Sequence, residues 1–312
     1  MKVLITGAGG QDGNHIANMY HLLGNNVLGL LNPKSQSANF QFPIVKLDFS
    51  DPKSAHHLLN DYKPDLIFHL AAVHHASSQK VYNKNKLVSD MFKCHVSMTK
   101  NILDWQKKNV NTSSLFALTS QMYSLDKSGH YINENSVVDP QNIYGKTKEL
   151  AFSLIKKYRN RFHLNSHAAI LFNHTSIRSK KQFIFPQLAD QLRKLLSEET
   201  SKISLAEPEA ELDITHSDEI CEGLMRQIEL SKPSDLVYAQ GRSIKISDLV
   251  LQFLDEVRYE TKVEIVKNGQ KVNSTLALIG DSSKAQALIG WHASKTPLEI
   301  LLELFHKQRD GK

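Results

Sequence analysis

Cysteine is nearly missing from this chain: there are two in 312 residues, Cys94 and Cys221, and no CxxC spacing. Neither a disulfide framework nor a cysteine-based zinc site can be assembled from them, and a reducing compartment fits best. Long apolar runs are missing as well. Nothing approaches the roughly 18 residues needed to cross a bilayer, and the opening MKVLITGAGG offers only about four apolar residues before glycine, too few for the apolar region of a signal peptide. The expected location is the cytoplasm, with no membrane partner. No block of one charge sign stands out either, because 38 Lys plus Arg against 32 Asp plus Glu leave a net charge of +6 spread along the sequence. That balance implies mild attraction for anionic ligands. Aromatic residues do not interleave with basic ones as a base-stacking platform requires, so nucleic acid is not an expected partner. The histidine pairs His56-His57 and His74-His75 come without HExxH or a carboxylate at ligand spacing, so no metal is expected.

What is present is apolar material, 41% of the chain, enough for one large or two coupled domains. Short apolar runs at Val3 to Thr6, Val27 to Leu31, Ile44 to Leu47, Leu66 to Leu70, Leu115 to Thr119 and Ala168 to Phe172 alternate with helical segments. This is the pattern of a parallel sheet covered on both faces. Between the first two runs, Ile16, Met19 and Leu23 recur at helical spacing and mark a face that packs on the sheet. After Phe172 the rhythm weakens, with helices expected at Phe183 to Leu196 and Ser217 to Leu230 and short strands at Leu236 to Tyr238 and Val263 to Val266. We therefore divide the chain into residues 1–172 and a smaller lobe at 173–312, interlocked with the first. Helices near Leu87 to Trp105 and Leu150 to Tyr158 carry apolar faces that suit either a homodimer or higher homo-oligomer, or packing on the sheet.

The first strand runs into Thr6-Gly7-Ala8-Gly9-Gly10-Gln11-Asp12-Gly13 and then a helix. Glycines at Gly7, Gly10 and Gly13 allow the tight turn and bring backbone amides to a pyrophosphate at the helix N-terminus. The strand before and the helix after supply the context that a glycine triplet alone lacks, and they make this a Rossmann-like, doubly wound α/β sheet that binds NAD or NADP. Gln11 and Asp12 are counted with the glycines as cofactor contacts. After the second strand no acidic residue awaits the adenosine ribose. Lys34, with Ser35 and Ser37, suits a ribose phosphate and tilts the choice toward NADP, against the alternative of a solvated loop lysine. Asp48, followed by Phe49, ends the third strand, where its carboxylate suits either the adenine amino group or a helix cap.

Tyr144 and Lys148 form a YxxxK pair, which on a helix shares one face. A phenol with pKa near ~10 needs an adjacent ammonium to exchange protons at neutral pH, and Lys148 supplies one while reaching the nicotinamide ribose. Thr119 ends the fifth strand, on the side of the sheet where cofactor crevices open, and can share a substrate oxygen with Tyr144.

With these pieces in order, the chain resembles the extended short-chain dehydrogenase/reductase family that modifies nucleotide sugars, and within it the GDP-mannose 4,6-dehydratase group. The resemblance runs through TGAGGQDG at Thr6 to Gly13, LAA at Leu70 to Ala72, TSQMY at Thr119 to Tyr123, YGKTK at Tyr144 to Lys148, ILFNH at Ile170 to His174 and LIGDSSKAQALIGW at Leu278 to Trp291. It implies a Rossmann lobe for NAD(P) and a carboxy-terminal lobe for the nucleotide sugar. It also places Leu70, Ala71 and Ala72 beside the cofactor, and Asn173 and His174 near the cofactor and substrate phosphates, with Arg178 retained just beyond. Dehydratases of this group have a glutamate where this chain has Gln121. An amide has no usable basicity and can only orient substrate. Leu212 stands where the family usually has a phosphate-clamping arginine, Ser179 where a second arginine is expected and Met98 where a glycine is common, and the chain is shorter than the typical dehydratase. His75 follows the LAA segment and is expected to reach the substrate. The resulting expectation is hydride transfer at C4 of a GDP-linked hexose or heptose, as a 4-keto reductase or C4 dehydrogenase. The competing readings are a working 4,6-dehydratase, a 4-epimerase, or a non-catalytic NAD(P)-binding sensor, which would have no need of Thr119, Tyr144 and Lys148.

Overall fold

The computed structural model describes residues 1–35, 39–74, 83–128, 130–268 and 276–307. Seven strands form the central sheet: β1 Lys2–Thr6, β2 Asn26–Leu31, β3 Ile44–Lys46, β4 Leu66–His69, β5 Ser113–Thr119, β6 Ser166–Leu171 and β7 Asp235–Tyr238. Their order is β7-β6-β5-β4-β1-β2-β3, and every pairing is parallel. The order reverses at β1, so the crossovers on its two sides run over opposite faces and leave a crevice at the carboxyl ends of β1 and β4.

The period-two alternation of each strand divides the core. Leu4 of β1 joins Ile67, Phe116 and Phe152 on one face, while Val3 and Ile5 join Ile16, Phe68 and Leu224 on the other. A third apolar cluster, built from Phe185, Leu192, Ile203, Phe253, Ile300 and Leu304, forms the centre of the carboxy-terminal lobe. The two lobes share chain: β7 follows residue 172 yet pairs with β6 on the sheet, and the helix Ser217–Ile228 packs on the same face as the Gln11–Leu22 helix. Asp213, fully buried, ties the loop after β7 to the segment at Gly280 by accepting the amides of Gln240 at 2.7 Å, Gly241 at 3.2 Å and Gly280 at 3.0 Å.

Three local readings change. The buried stripe of the first helix is Gly13, Ile16, Ala17 and Tyr20, whereas Leu23 lies beyond the last turn and is 66% exposed. Tyr20, not Met19 or Leu23, continues the face from Ile16, because a tyrosine buries its ring on the sheet as an aliphatic side chain does. The strand expected from Leu115 starts at Ser113, and β6 starts at Ser166 instead of Ala168. Their buried hydroxyls are satisfied together, Ser114 and Ser166 both donating to Gln106 Oε1 at 2.8 and 2.9 Å. Finally, the helix expected over Leu87 to Trp105 is interrupted by a π-helical turn at Lys93–Ser97, a feature common at functional sites.

Candidate active site

The three glycines after β1 have different structural reasons. Gly7 has φ +74°, and a Cβ there would lie 2.8 Å from the backbone of Ala71, so the segment after β4 crosses directly over it. At Gly13 a Cβ would stand 2.3 Å from the Gly7 carbonyl oxygen. Gly10 differs: its φ of −81° and ψ of 169° suit any residue, and its Cβ would meet only the Gly7 oxygen at 3.2 Å. The fold does not demand glycine at Gly10, and the space that a side chain would fill borders the helix N-terminus, which has no side-chain cap. Such an opening, lined by free first-turn amides, fits a pyrophosphate.

The side chains beside the glycines turn away from that opening. Gln11 accepts from Ser179 Oγ at 2.6 Å, and Asp12 accepts from Ser217 Oγ at 2.7 Å and lies 3.0 Å from His174 Nε2. The other ring nitrogen of His174 meets the Phe172 carbonyl at 2.8 Å. With an acceptor on each side, His174 is held as an imidazolium: burial pulls its pKa down, but Asp12 and the Phe172 carbonyl raise it overall. Burial likewise opposes Asp12, and His174 and Ser217 hold it low. Gln11, Asp12 and His174, expected as cofactor contacts, have side chains that join the glycine loop to the second lobe, and only the backbone of Gln11 and Asp12 is left for a phosphate. His174→Phe leaves a buried carboxylate unpaired and is expected to lower stability by about 3 kcal/mol, with most of the loss recovered on adding Asp12→Asn. The pair is strongest where Asp12 is ionised and His174 protonated, so the penalty should fade as pH rises through the raised His174 pKa and as it falls through the lowered Asp12 pKa. Urea unfolding across pH checks both.

On the adenosine side, Lys34 is exposed just after β2, while the Ser35 carbonyl accepts from Lys46 Nζ at 2.9 Å; Ser37 lies outside the described residues. Asp48 is not a helix cap. It accepts from Ser50 N at 3.0 Å and organises the turn, and Asp51 caps the next helix through Ser54 N at 2.9 Å. The Phe49 ring is buried in the core, so that residue can meet a cofactor only through its backbone. Leu70, Ala71 and Ala72 follow β4 alongside Gly7, with Ala71 N donating to Thr6 Oγ1 at 3.3 Å.

Thr119, Tyr144 and Lys148 come together at the carboxyl end of β5. Thr119 Oγ1 accepts from Gln121 N at 3.2 Å, which leaves its own proton to give. The helix Ile143–Phe162 abuts the turn after Thr119 so tightly that a Cβ on Gly145 would sit 2.1 Å from the Gln121 carbonyl. This explains the glycine after Tyr144 and fixes the tyrosine relative to Thr119. Lys148, 3% exposed, donates to the Ala117 carbonyl at 2.7 Å, and its Nζ lies 6.0 Å from the Tyr144 ring centre. Burial pushes the Tyr144 phenol up and pulls Lys148 down to about 8. The expected lowering of Tyr144 by Lys148 is thus absent in this arrangement, because the loss of solvent outweighs an ammonium that is engaged by a carbonyl.

His95 is the residue that sequence reasoning missed. Carried on the π-helical turn, it packs edge-on against Tyr144 with ring centres 5.2 Å apart, and His74 does the same at 5.1 Å. Val73 N donates to His95 Nε2 at 3.1 Å, so Nδ1 carries the proton and gives it to Thr147 Oγ1 at 2.8 Å. Thr147 in turn donates to the Tyr144 carbonyl at 3.0 Å. Burial brings His95 to about 2, so it stays neutral. No spacing in the sequence marks it, since its partners come from the segment after β4 and from the YxxxK helix.

Gln121 Oε1 accepts from Asn142 Nδ2 at 3.0 Å. Asn173, exposed, donates to the Asp213 carbonyl at 3.3 Å. The Arg178 guanidinium pairs with Asp218, so the chain's own carboxylate already holds the group expected to orient substrate. Leu212 packs on the core of the second lobe. His75 lies outside the described residues. Among the described residues no group of three His, Cys, Asp or Glu could hold a metal ion, and no helix is long and apolar enough to cross a membrane.

The model of the GDP-mannose 4,6 dehydratase family matches residues 4–304. The chain belongs to that family. It is a nucleotide-sugar modifying enzyme of the extended short-chain dehydrogenase/reductase type. Among curated relatives it is similar to GDP-mannose 4,6 dehydratase 2 of Caenorhabditis elegans, 22% identical over 345 aligned positions that cover 96% of this chain and 87% of the relative. Among solved structures, a putative epimerase from Burkholderia cenocepacia superposes with a TM-score of 0.81 at 19% identity, covering 97% of this chain and 96% of that one. RMD from Pseudomonas aeruginosa, complexed with NADPH, gives 0.76 at 18% identity, with 97% of both chains covered. At these identities the structural likeness speaks for the fold, and the family match for the family.

Proposed function

We propose that this family member binds NADP or NAD, with NADP preferred, and transfers hydride at C4 of a GDP-linked hexose or heptose as a 4-keto reductase or C4 dehydrogenase. The observation that carries the reading is the convergence of Thr119, Tyr144 and Lys148 at the carboxyl end of β5, on the same edge of the sheet as the glycine loop after β1, with an amide, Gln121, at the family's carboxylate position. The opening at Gly10 and the amides of the first helical turn would hold the pyrophosphate, Leu70 to Ala72 would line the cofactor, and exposed Lys34 would meet a ribose phosphate. Lys148 has two N–H groups beyond the one given to Ala117, suited to ribose hydroxyls. A bound nicotinamide supplies or accepts the hydride. Thr119 gives its proton as a hydrogen bond to the 4-oxygen, and Tyr144 exchanges the phenolic proton with that same oxygen. His74 and His95 hold the tyrosine ring between them, and neutral His95 adds no charge to the site. Exposed Val88 and Phe92 on the Lys84–Phe92 helix and Leu150 on the YxxxK helix support a homo-oligomer. The absence of a membrane-crossing helix among the described residues supports a cytoplasmic enzyme.

Gln121 separates the possible reactions. A dehydratase must remove the C5 proton, for which Gln121 offers no base. In heavy water the protein is expected to oxidise or reduce a GDP-hexose at C4 with no deuterium at C5. Mass spectrometry showing loss of one water together with one deuterium at C5 would return the chain to the 4,6-dehydratase reaction.

A further inference from the structure

Gln121, two residues after Thr119, and Asn142, two residues before Tyr144, meet side chain to side chain, and the orientation of each amide is fixed. Asn142 is the N-cap of the Ile143–Phe162 helix, with Oδ1 accepting from Gly145 N at 2.8 Å. Flipping that amide would set an NH2 group against a backbone N–H, so the atom reaching Gln121 is Nδ2. Its partner 3.0 Å away must accept, and is Oε1. The nitrogen of Gln121 is the end left over, with no protein acceptor among the described residues.

We propose that Asn142 is a positioning residue that locks Gln121 with its nitrogen outward, so that Gln121 gives a hydrogen bond to an acceptor oxygen of the sugar next to C4. The inference rests on the nucleotide-sugar reading above and deepens it. A glutamate at this position accepts hydrogen bonds or takes a proton, whereas Gln121 held in this way turns its N–H donors outward. The polarity favours a sugar oxygen without a proton of its own, such as the ring oxygen, a ketone or a carboxylate.

Asn142→Asp tests the lock without disturbing the helix, because aspartate caps as well as asparagine and suits the helix dipole. Its second oxygen turns the donor facing Gln121 into an acceptor, and Gln121 must swing round to meet it. In substrate-free protein with 15N-labelled glutamine, the Gln121 side-chain amide protons should move downfield and exchange at least about tenfold more slowly in Asn142→Asp, while the melting temperature and NADPH affinity stay unchanged. With NADPH and GDP-4-keto-6-deoxymannose, kcat/KM should fall at least about tenfold, mainly through KM, and the fall should vanish when Gln121→Met is already present. Unmoved Gln121 amide signals overturn the lock, and an equal kinetic loss in the Gln121→Met background overturns the action through Gln121. If wild-type protein turns over no nucleotide sugar, the functional reading fails while the amide spectrum still decides the lock.

Discussion

Tyr144→Phe is expected to reduce turnover by roughly 100-fold or more, the contribution of a positioned proton donor. The ring and its edge contacts with His74 and His95 survive the change, so thermal stability and cofactor affinity should stay near wild type. Near-normal steady-state rates would remove Tyr144 from the chemistry. Lys148→Met should bring a comparable loss of turnover with the opposite sign in stability. Burial holds Lys148 at about 8 in the folded protein, against ~10.4 in an unfolded chain. Between these values the unfolded state binds the extra proton, so the contribution of this group to stability rises with pH from about 8 to about 10.4, and at pH 7 its cost is carried in full, on the order of 3 kcal/mol. Methionine removes that cost but leaves the Ala117 carbonyl without its donor, worth about 1–3 kcal/mol. The variant should therefore melt at or above the wild-type temperature at pH 7 and lose that advantage by pH 10. A melting temperature several degrees below wild type at pH 7 would mean that Lys148 is a structural cation.

Gly10→Val should abolish binding of NADP+ and NAD+ in calorimetry while the protein stays folded. The backbone at Gly10 is ordinary extended chain and the nearest obstacle to a Cβ is a single oxygen at 3.2 Å. Exchanging a glycine N-cap for valine costs the helix about 1 kcal/mol, a few degrees of melting temperature at most. The isopropyl group would occupy the approach to the first-turn amides. Gly13→Ala should behave in the opposite way, because its Cβ would stand 2.3 Å from the Gly7 carbonyl carried on the same loop, and the loss there should be of folding. Unchanged affinity in a folded Gly10→Val protein would show that the glycine loop is not the phosphate site.

Gly10 and Gly13 are indistinguishable as letters in a GxxGxxG pattern, and their different duties show how far the sequence reaches. The parallel sheet, its six amino-terminal strands and the placing of Thr119, Tyr144 and Lys148 could be read directly, because period-two and helical alternation, glycine chemistry and strand-end position are local properties. Sequence reading does not reach the side-chain partners that lie far along the chain. Gln11, Asp12 and His174, read as cofactor contacts, also meet Ser179, Ser217 and the Phe172 carbonyl of the folded chain. Arg178, expected to orient substrate, pairs with Asp218. His95 had no signal at all, since it becomes part of the site only when Val73 and Thr147 converge on its two nitrogens.

The sequence by itself determined the fold class, the glycine loop, the set Thr119, Tyr144 and Lys148 and the amide at Gln121, each carried by residue identity and short-range spacing. Only the tertiary structure decided the state of those groups. Burial set the charge balance of Tyr144 and Lys148, because removing water penalises a charged form regardless of how near it lies in sequence. The N-cap duty of Asn142 likewise set the orientation of Gln121, because a hydrogen bond has a direction that only the assembled partners can fix.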